Sequence, residues 1–209
     1  MKIAVIGASA GVGLEVAHLA LLRGHDVATL SRRTEPLPEH PRLRKVRGSS
    51  LNPQDVREVL RGAEVVIVTL GTGMSTKPTV LYSASTDVLL QVLQESEQKP
   101  LLIALTGFGA GDSWEYNSPL MKILFNLLLK KVYADKSIME KKIAASYPRW
   151  EIVRPGLLTN GEQQWDYQVQ DELRKGMKVR TISRQDVAHF LVTQAECPTY
   201  LGQYPAISY

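Results

Sequence analysis

A glycine-rich segment near the start of the chain has the spacing of a phosphate-binding loop. Residues 7–13 read GASAGVG, with glycines in a G-x-x-x-G-x-G pattern, and they stand between a short β-branched run and a helical pattern. Glycines permit a tight turn there and let the backbone approach a phosphate at the positive end of the helix. This strand–turn–helix context predicts a loop that binds the diphosphate of a dinucleotide.

The same residues also spell G-x-S-x-G, the nucleophile elbow of α/β-hydrolases, with Ser9 as the nucleophile. Asp186 and His189 follow in the chain order that such a triad would need. A nucleophile elbow follows a central strand, however, and an earlier loop supplies part of its oxyanion hole. With six residues before Gly7 in this sequence, no such earlier loop is expected. We therefore interpret Ser9 as a phosphate-loop residue.

Two arginines end the second predicted strand, at the point where dinucleotide sites distinguish the two cofactors. NAD sites place a carboxylate there for the ribose hydroxyls, whereas NADP sites place an arginine near the 2′-phosphate. This strand ends in Ser31, Arg32 and Arg33, and the first acid is Glu35. Because guanidinium groups bind phosphate dianions well, the pair favours NADP(H). Two solvated surface arginines would give the same pattern.

Two kinds of chemistry lack their usual residues in this chain. Many dehydrogenases use Y-x-x-x-K, in which the lysine lowers the pKa of a tyrosine that passes a proton to the substrate. No lysine stands four residues after any tyrosine, and Tyr133 and Lys136 are three apart. The four histidines are scattered without the spacing of metal ligands. We expect neither the usual tyrosine acid nor a catalytic metal.

Strand and helix patterns alternate along the chain, which requires parallel pairing with right-handed crossovers. We predict an α/β doubly wound parallel sheet, the Rossmann architecture, as a single domain over residues 1–209 with a small C-terminal appendage on the substrate side. The predicted strands cover residues 2–6, 26–30, 43–46, 64–70, 101–106, 150–153, 179–182 and 202–207. The predicted helices cover residues 11–23, 53–61, 80–96 and 184–196, and residues 118–146 are predicted as one long helix or two successive helices.

Composition narrows the function classes. The 209 residues are 44% hydrophobic and 22% charged, which is typical of a globular chain, and a single cysteine favours a reducing, cytoplasmic setting. The net charge is +4, with a basic cluster in residues 32–47 that has no aromatic residues between its cations, so we expect no nucleic-acid partner. Neither a signal peptide nor a transmembrane helix is expected, because glycines interrupt the first apolar run and residues 120–129 are too short to span a bilayer.

Further motifs give the chain a family resemblance from end to end. They are residues 66–72 (VIVTLGT), residues 154–159 (RPGLLT), residues 182–190 (ISRQDVAHF) and the closing Tyr204-Pro205. With the glycine loop and the arginine pair, the sequence resembles the atypical short-chain dehydrogenases. Within that group it is most similar to the NADPH-dependent flavin reductase/biliverdin-IXβ reductase family.

The resemblance implies a cofactor site that crosses the whole sheet. The diphosphate would lie on the glycine loop, the 2′-phosphate on the arginine pair and the adenine beside two serines. The ribose and nicotinamide would lie over the ends of later strands. The implied cofactor-binding residues are Gly7, Ser9, Ala10, Gly11, Val12, Gly13, Arg32, Arg33, Ser49, Ser50, Leu70, Gly71, Thr72, Thr106, Gly107, Pro155, Gly156 and Leu157.

The sequence departs from the family pattern mainly around the substrate. A serine near the hydride position is Gly107 here, which leaves Thr106 as the nearby hydroxyl, and pocket histidines are replaced by Lys136 and Leu157. Thr106 and Lys136 are the catalytic candidates. We expect Lys136 to attract an anionic group of the substrate, although it would equally suit a solvated helix surface. An apolar open side is expected from Phe108, Trp114 and residues 120–129.

The resulting hypothesis is NADPH-dependent reduction of a flavin, such as FMN or riboflavin, or of a linear tetrapyrrole such as biliverdin. The protein would act on a small molecule, without a membrane partner, as a monomer or weak homodimer. The alternative is an NADP(H)-binding redox sensor without turnover, because the missing Y-x-x-x-K suits both.

Overall fold

The computed structural model describes residues 1–73, 77, 79–117, 122–123 and 129–209. In these ranges the strands are β1 (Lys2–Ile6), β2 (Asp26–Ser31), β3 (Leu43–Arg47), β4 (Val65–Val68), β5 (Leu101–Leu105), β6 (Trp150–Pro155), β7 (Leu157–Thr159), β8 (Gln168–Gln170), β9 (Thr181–Ser183) and β10 (Ala206–Ser208). The α-helices are α1 (Gly11–Leu22), α2 (Pro53–Leu60), α3 (Leu81–Glu95), α4 (Lys130–Ser146) and α5 (Arg184–Glu196), and a 3-10 helix covers Gly111–Tyr116.

The main sheet of the described residues has the strand order β3-β2-β1-β4-β5-β6-β10-β8. Strands β1 to β6 and β10 pair in parallel, and β8 is antiparallel to β10 at the edge. The chain builds outward from β1 to β3 on one side, then returns to the centre and builds from β4 to β6 on the other. The order reverses between β1 and β4, which is where a doubly wound sheet opens a crevice for ligands.

Both faces of the sheet are covered, which explains its apolar central strands. Every residue of β4 and β5 is buried, as expected for a parallel sheet between two helical layers. Alternate residues of β1 belong to opposite cores: Ile3 and Val5 pack in the cluster that contains α1 and α5, whereas Ala4 and Ile6 pack in the cluster that contains α2, α3 and α4. The predicted doubly wound fold is confirmed, and the assignment of residues 1–209 to a single domain stays a prediction.

The C-terminal segment differs most from the predicted elements. The short strands β7 and β8 were not predicted, because three residues carry too little pattern. The last strand begins at Ala206 and not at residue 202, because a turn closed by a hydrogen bond from the Gln203 amide to the Tyr200 carbonyl places Gly202 at φ +72°. The predicted helix over residues 118–146 is present as α4, while residues 118–121 and 124–128 lie outside the described residues. Among the described residues, no helix is long and apolar enough to cross a membrane.

A buried carboxyl group lies near the start of β6. Glu151 is fully buried, its Oε1 accepts a hydrogen bond of 3.1 Å from the Tyr200 amide, and its Oε2 has no partner among the described residues. Burial raises the pKa of Glu151 to about 7, against an opposing effect of the Tyr200 hydrogen bond. Near neutral pH the folded protein therefore holds this carboxyl group partly protonated.

We predict that Glu151→Gln stabilises the protein above pH 7. The folded state binds a proton that the unfolded state releases between pH 4.5 and about 7, so the free energy of unfolding falls as pH rises through this window, by up to about 3 kcal/mol. Glutamine mimics the protonated group and removes this loss. Urea unfolding of the wild type and the variant at pH 5 and pH 8 measures this change in the free energy of unfolding. The control is Glu97→Gln, a substitution of an exposed glutamate. An equal pH dependence in Glu151→Gln and the wild type would contradict the prediction.

Candidate functional site

The glycine loop adopts a conformation that requires its glycines. Gly7 has φ +96°, and a Cβ atom there would lie 2.9 Å from the carbonyl carbon of Thr69 at the end of β4. A Cβ atom on Gly13 would lie 2.3 Å from the Gly7 carbonyl oxygen. The Thr69 hydroxyl donates a 3.2 Å hydrogen bond to the Ile6 carbonyl. The loop therefore packs directly on the backbone of the neighbouring strand, at the point where the strand order reverses.

The first turn of α1 is open to an anion. Its N-cap is Ala10, which offers no side-chain acceptor to the backbone amides of the first turn. Those amides and the positive end of the helix dipole are directed out of the helix start, which suits a phosphate group. Ser9, Gly11 and Val12 line the cleft beside this helix start. Ser9 thus lies in the predicted phosphate loop.

A cleft of about 820 Å³ crosses the carboxyl ends of the parallel strands from β2 to β6. It contains most of the positions that the sequence resemblance implied for the cofactor, whereas Gly13 lies behind the loop and Arg33 is exposed outside the cleft. The implied residues that line it are Gly7, Ser9, Ala10, Gly11, Val12, Arg32, Ser49, Ser50, Leu70, Gly71, Thr72, Thr106, Gly107, Pro155, Gly156 and Leu157.

Beyond the ends of β2 and β3, the cleft combines a cation with hydroxyl groups. Arg32 is exposed and makes no hydrogen bond or ion pair with any described residue. The Ser49 amide donates a 2.8 Å hydrogen bond to Asp55 Oδ2, and the Ser50 and Ser85 hydroxyls are 2.8 Å apart. The first contact fixes the Ser49 backbone. The guanidinium of Arg32, without a partner among the described residues, is available to a phosphate.

At the other end of the cleft, beyond β5, Lys136 lies between two aromatic rings. Its Nζ donates a 2.6 Å hydrogen bond to the Thr106 carbonyl and lies 5.0 Å and 5.3 Å from the ring centroids of Tyr133 and Tyr82. Burial lowers the pKa of Lys136 to about 8, with Glu140 opposing the change. The ammonium group is thus half-buried in the cleft wall and not on a solvated helix surface.

The Thr106 hydroxyl is held by a buried carboxylate. Its Oγ1 donates a 2.7 Å hydrogen bond to Glu140 Oε1. Glu140 in turn accepts hydrogen bonds of 3.1 Å and 2.7 Å from Arg154, whose Nη1 also donates to Asp112 at 2.7 Å. Because its proton is directed to a carboxylate, Thr106 is better placed to position its neighbours than to protonate a substrate. Its catalytic role stays a prediction.

Phe108 and Trp114, which we expected on the open side of the cleft, do not line the part of it that the described residues form. Phe108 is only 6% exposed and Trp114 is partly exposed, and their place at the substrate stays a prediction. The Phe108 amide donates to the Pro155 carbonyl at 2.9 Å, and the following segment is fixed to α4 by a 2.8 Å hydrogen bond from the Gly111 amide to Ser137. These contacts hold the Phe108 backbone against β6 and the start of the 3-10 helix against α4. The remaining expected part, residues 120–129, lies almost wholly outside the described residues.

Several side chains that line the cleft were not among the residues predicted from the sequence. Three that bear on the chemistry of the site are Tyr82, Tyr133 and Arg184. Gly107 has φ +157°, and a Cβ atom on it would lie 2.7 Å from the Tyr133 hydroxyl oxygen. Burial raises the pKa of Tyr133, so its hydroxyl stays protonated. The signal that could have indicated Tyr133 was its spacing of three from Lys136, which places both on one face of a helix.

A glycine loop at the reversal point, an open helix start and a cleft across the carboxyl ends of parallel strands define a dinucleotide-binding protein of the Rossmann type. A family model described as NAD(P)H-binding matches residues 7–198, which is most of the sequence. The chain belongs to this NAD(P)H-binding family. NAD(P)H as the cofactor class is therefore confirmed, while the choice of NADP(H) over NAD(H) is a proposal.

One curated relative matches a part of the chain. Over 68 residues the chain is 35% identical to the 3-beta-hydroxysteroid dehydrogenase of Mycolicibacterium neoaurum, a match that covers 32% of this chain and 19% of that protein. The chain thus spans about a fifth of the length of this relative.

Solved structures match the whole chain at low identity. The short-chain dehydrogenase/reductase of Veillonella parvula, in complex with NADP, has a TM-score of 0.85 at 17% identity, over 100% of this chain and 94% of that one. The anaerobillin reductase ChuY of Escherichia coli O157:H7 has a TM-score of 0.82 at 20% identity, over 100% of this chain and 97% of that one. A protein of Streptococcus pneumoniae TIGR4 proposed to be an NADH-flavin reductase has a TM-score of 0.80 at 20% identity, over 100% of this chain and 99% of that one. At these identities the likeness shows the fold.

We predict that Arg32→Ala weakens NADPH binding by about ten- to a hundredfold and changes NADH binding less than twofold. The variant loses a charge-assisted hydrogen bond to a phosphate that only NADPH carries. Titration of cofactor fluorescence gives both dissociation constants. The control is Arg57→Ala, which removes the same charge from an exposed ion pair with Glu95. Arg33→Ala should weaken NADPH binding less than Arg32→Ala does, because Arg33 lies outside the cleft. Equal losses for NADPH and NADH in Arg32→Ala would exclude it as the selecting residue.

Proposed function

We propose that the protein is an NADPH-dependent reductase that acts on a planar conjugated acceptor, a flavin or a linear tetrapyrrole. The observation that carries the proposal is the far end of the cleft, where an ammonium group lies between two tyrosine rings beside Thr106 and Gly107. Bound NADPH would supply a hydride from its nicotinamide ring. The residues of this chain then have to position the acceptor and keep water from the reacting atoms.

The cofactor end of the proposal depends on Arg32. It lines the cleft without a partner among the described residues, and the second strand ends without a carboxylate for the ribose hydroxyls. A phosphate dianion would satisfy this guanidinium, whereas an unmodified ribose would leave it in solvent. This difference supports NADPH as the preferred cofactor.

The acceptor end of the proposal depends on the aromatic and cationic groups. Tyr133 is partly exposed and offers ring surface for a planar acceptor, and Leu157, which is 64% exposed, adds an apolar side chain to the cleft lining. Tyr82 is only 2% exposed and packs against Lys136. Lys136 donates one of its three hydrogen bonds to Thr106 and has two left for an anionic group. An FMN phosphate or a bilin propionate has the required charge. The reductase names of the structural neighbours from E. coli and S. pneumoniae agree with these acceptors.

Little acid–base help from the protein is required for such acceptors. A conjugated ring system spreads the charge that a hydride leaves, and the proton can come from water or from the acceptor itself. This agrees with the missing Y-x-x-x-K and with a Thr106 hydroxyl that donates to Glu140. The Tyr133 hydroxyl, which lies beside Gly107, is a further side-chain donor at this end of the cleft.

The test of the proposed function is the oxidation of NADPH under anaerobic conditions. The reaction is monitored through the loss of NADPH absorbance. We expect turnover on addition of FMN, riboflavin or biliverdin, none without an acceptor, and slower turnover with NADH. Tight NADPH binding without turnover of any acceptor would contradict the reductase and favour the redox sensor. Absence of NADPH and NADH binding would contradict both functions.

We predict that Lys136→Ala raises the KM for FMN about tenfold and leaves the KM for riboflavin within twofold. Riboflavin lacks the phosphate, so it is an internal control for anion attraction. In the wild type the KM for FMN should rise between pH 7 and pH 9, because Lys136 loses its charge around pH 8. Both effects should shrink at high salt.

The matched control for Lys136→Ala is Lys130→Ala, an exposed lysine on the same helix. It should change neither KM. An equal rise of KM for FMN and riboflavin in Lys136→Ala would mean that the lysine shapes the site without attracting the phosphate.

A further inference from the structure

A pair of short strands brings two polar residues to the edge of the cofactor cleft. Strands β7 and β9 are parallel, with Thr159 opposite Ser183. The residues that follow them, Asn160 and Arg184, therefore lie side by side, and Nη1 of Arg184 donates a 2.6 Å hydrogen bond to the Asn160 side-chain oxygen. Both residues line the cleft.

Arg184 lies against the glycine loop. A Cβ atom on Gly11 would be 3.6 Å from Nε and 3.8 Å from Cδ of Arg184. The helices that begin at these two residues, α1 and α5, pack against each other through Ala17, Ala20 and Leu191 in one core. Their N-terminal ends therefore converge on the same part of the cleft. This is where the open first turn of α1 is suited to a diphosphate.

The charge of Arg184 is not balanced within the described residues. It makes no ion pair with any of them, and its hydrogen-bond partner Asn160 is neutral. Asp186 in the same helix turn is occupied by other donors, among them the Ser183 hydroxyl and the Gln164 amide. A cation in the first turn of a helix is also opposed by the helix dipole. An anion in the cleft would satisfy a half-buried guanidinium in this position.

We propose that Arg184, held by Asn160, is a second cation for the dinucleotide and binds its diphosphate opposite the first turn of α1. The inference rests on the proposed binding of NADP(H) and adds a residue from the C-terminal segment to it. Arg184 differs from Arg32 in what it recognises. The diphosphate is common to both cofactors, so Arg184 contributes affinity without selecting between them.

Fragments of the cofactor separate the two arginines. ADP-ribose carries the diphosphate without a 2′-phosphate, and adenosine 2′-monophosphate carries the 2′-phosphate without a diphosphate. We expect Arg184→Gln to weaken ADP-ribose by about ten- to a hundredfold and to leave adenosine 2′-monophosphate within twofold. Arg32→Ala should show the reverse pattern.

The full cofactors give the second measurement. Arg184→Gln should weaken NADPH and NADH by the same factor, and Arg184→Lys should recover part of the loss. The controls are Gln185→Ala, the next residue of α5, and Arg23→Ala, which removes a cation paired with Glu196 at the other end of α5. Thermal unfolding without cofactor should be unchanged or slightly later in Arg184→Gln, because the variant removes a charge that opposes the helix dipole.

Two results would overturn this inference. Arg184→Gln with wild-type affinity for ADP-ribose would exclude a diphosphate contact while leaving the proposed function intact. A loss in adenosine 2′-monophosphate binding as large as that in ADP-ribose binding would assign a general electrostatic or structural role to Arg184. Failure of the wild type itself to bind ADP-ribose, NADPH and NADH would instead contradict the proposed function.

Discussion

A buried ion pair between α4 and β6 determines the geometry of the reacting end of the cleft. Arg154 is 1% exposed and Glu140 2%, and two hydrogen bonds join them. Such a pair is costly to desolvate, and removal of one partner typically destabilises a protein by about 3–5 kcal/mol. The Thr106 hydroxyl donates to the same carboxylate and ties the end of β5 to it. One ion pair therefore joins α4 to β5 and β6. The relative position of these elements determines where the side chains of the cleft wall lie.

Helix α4 carries several side chains of the cleft wall, and residues three or four apart in it lie on the same face. Lys136 stands four residues before Glu140, on the same face, which places its ammonium on the Thr106 carbonyl. Asp135 accepts hydrogen bonds of 2.9 Å and 3.3 Å from the amides of Tyr82 and Ser83, so α4 also anchors the start of α3. The aromatic rings around the lysine thus come from two helices that a buried carboxylate holds together.

The parts of this arrangement that are local in sequence could be predicted, and those that join distant segments could not. The glycine loop and Arg32 were predictable because strand, turn and helix follow each other directly. The position of Arg184 beside Gly11 could not be predicted, because it depends on the pairing of β7 with β9, two strands of three residues each. The 3-10 helix of residues 111–116 was not predicted either, and its attachment to α4 through the Gly111 amide and Ser137 joins segments that are distant in sequence.

The C-terminal segment is coupled to the cleft through a second buried carboxylate. Burial alone would raise the pKa of Asp186, but hydrogen bonds from the Tyr209 hydroxyl, the Gln164 amide, the Ser183 hydroxyl and the Trp165 amide lower it. These bonds hold Trp165 at φ +63°, a conformation that a tryptophan rarely adopts, and fix the loop that begins at Asn160. A ligand that binds only the folded state stabilises it, together with the local structure that holds the ligand's contacts in place. If the diphosphate binds Arg184, and through it Asn160, then cofactor binding and the packing of the last strand support each other, because both depend on the Asp186 carboxylate remaining charged.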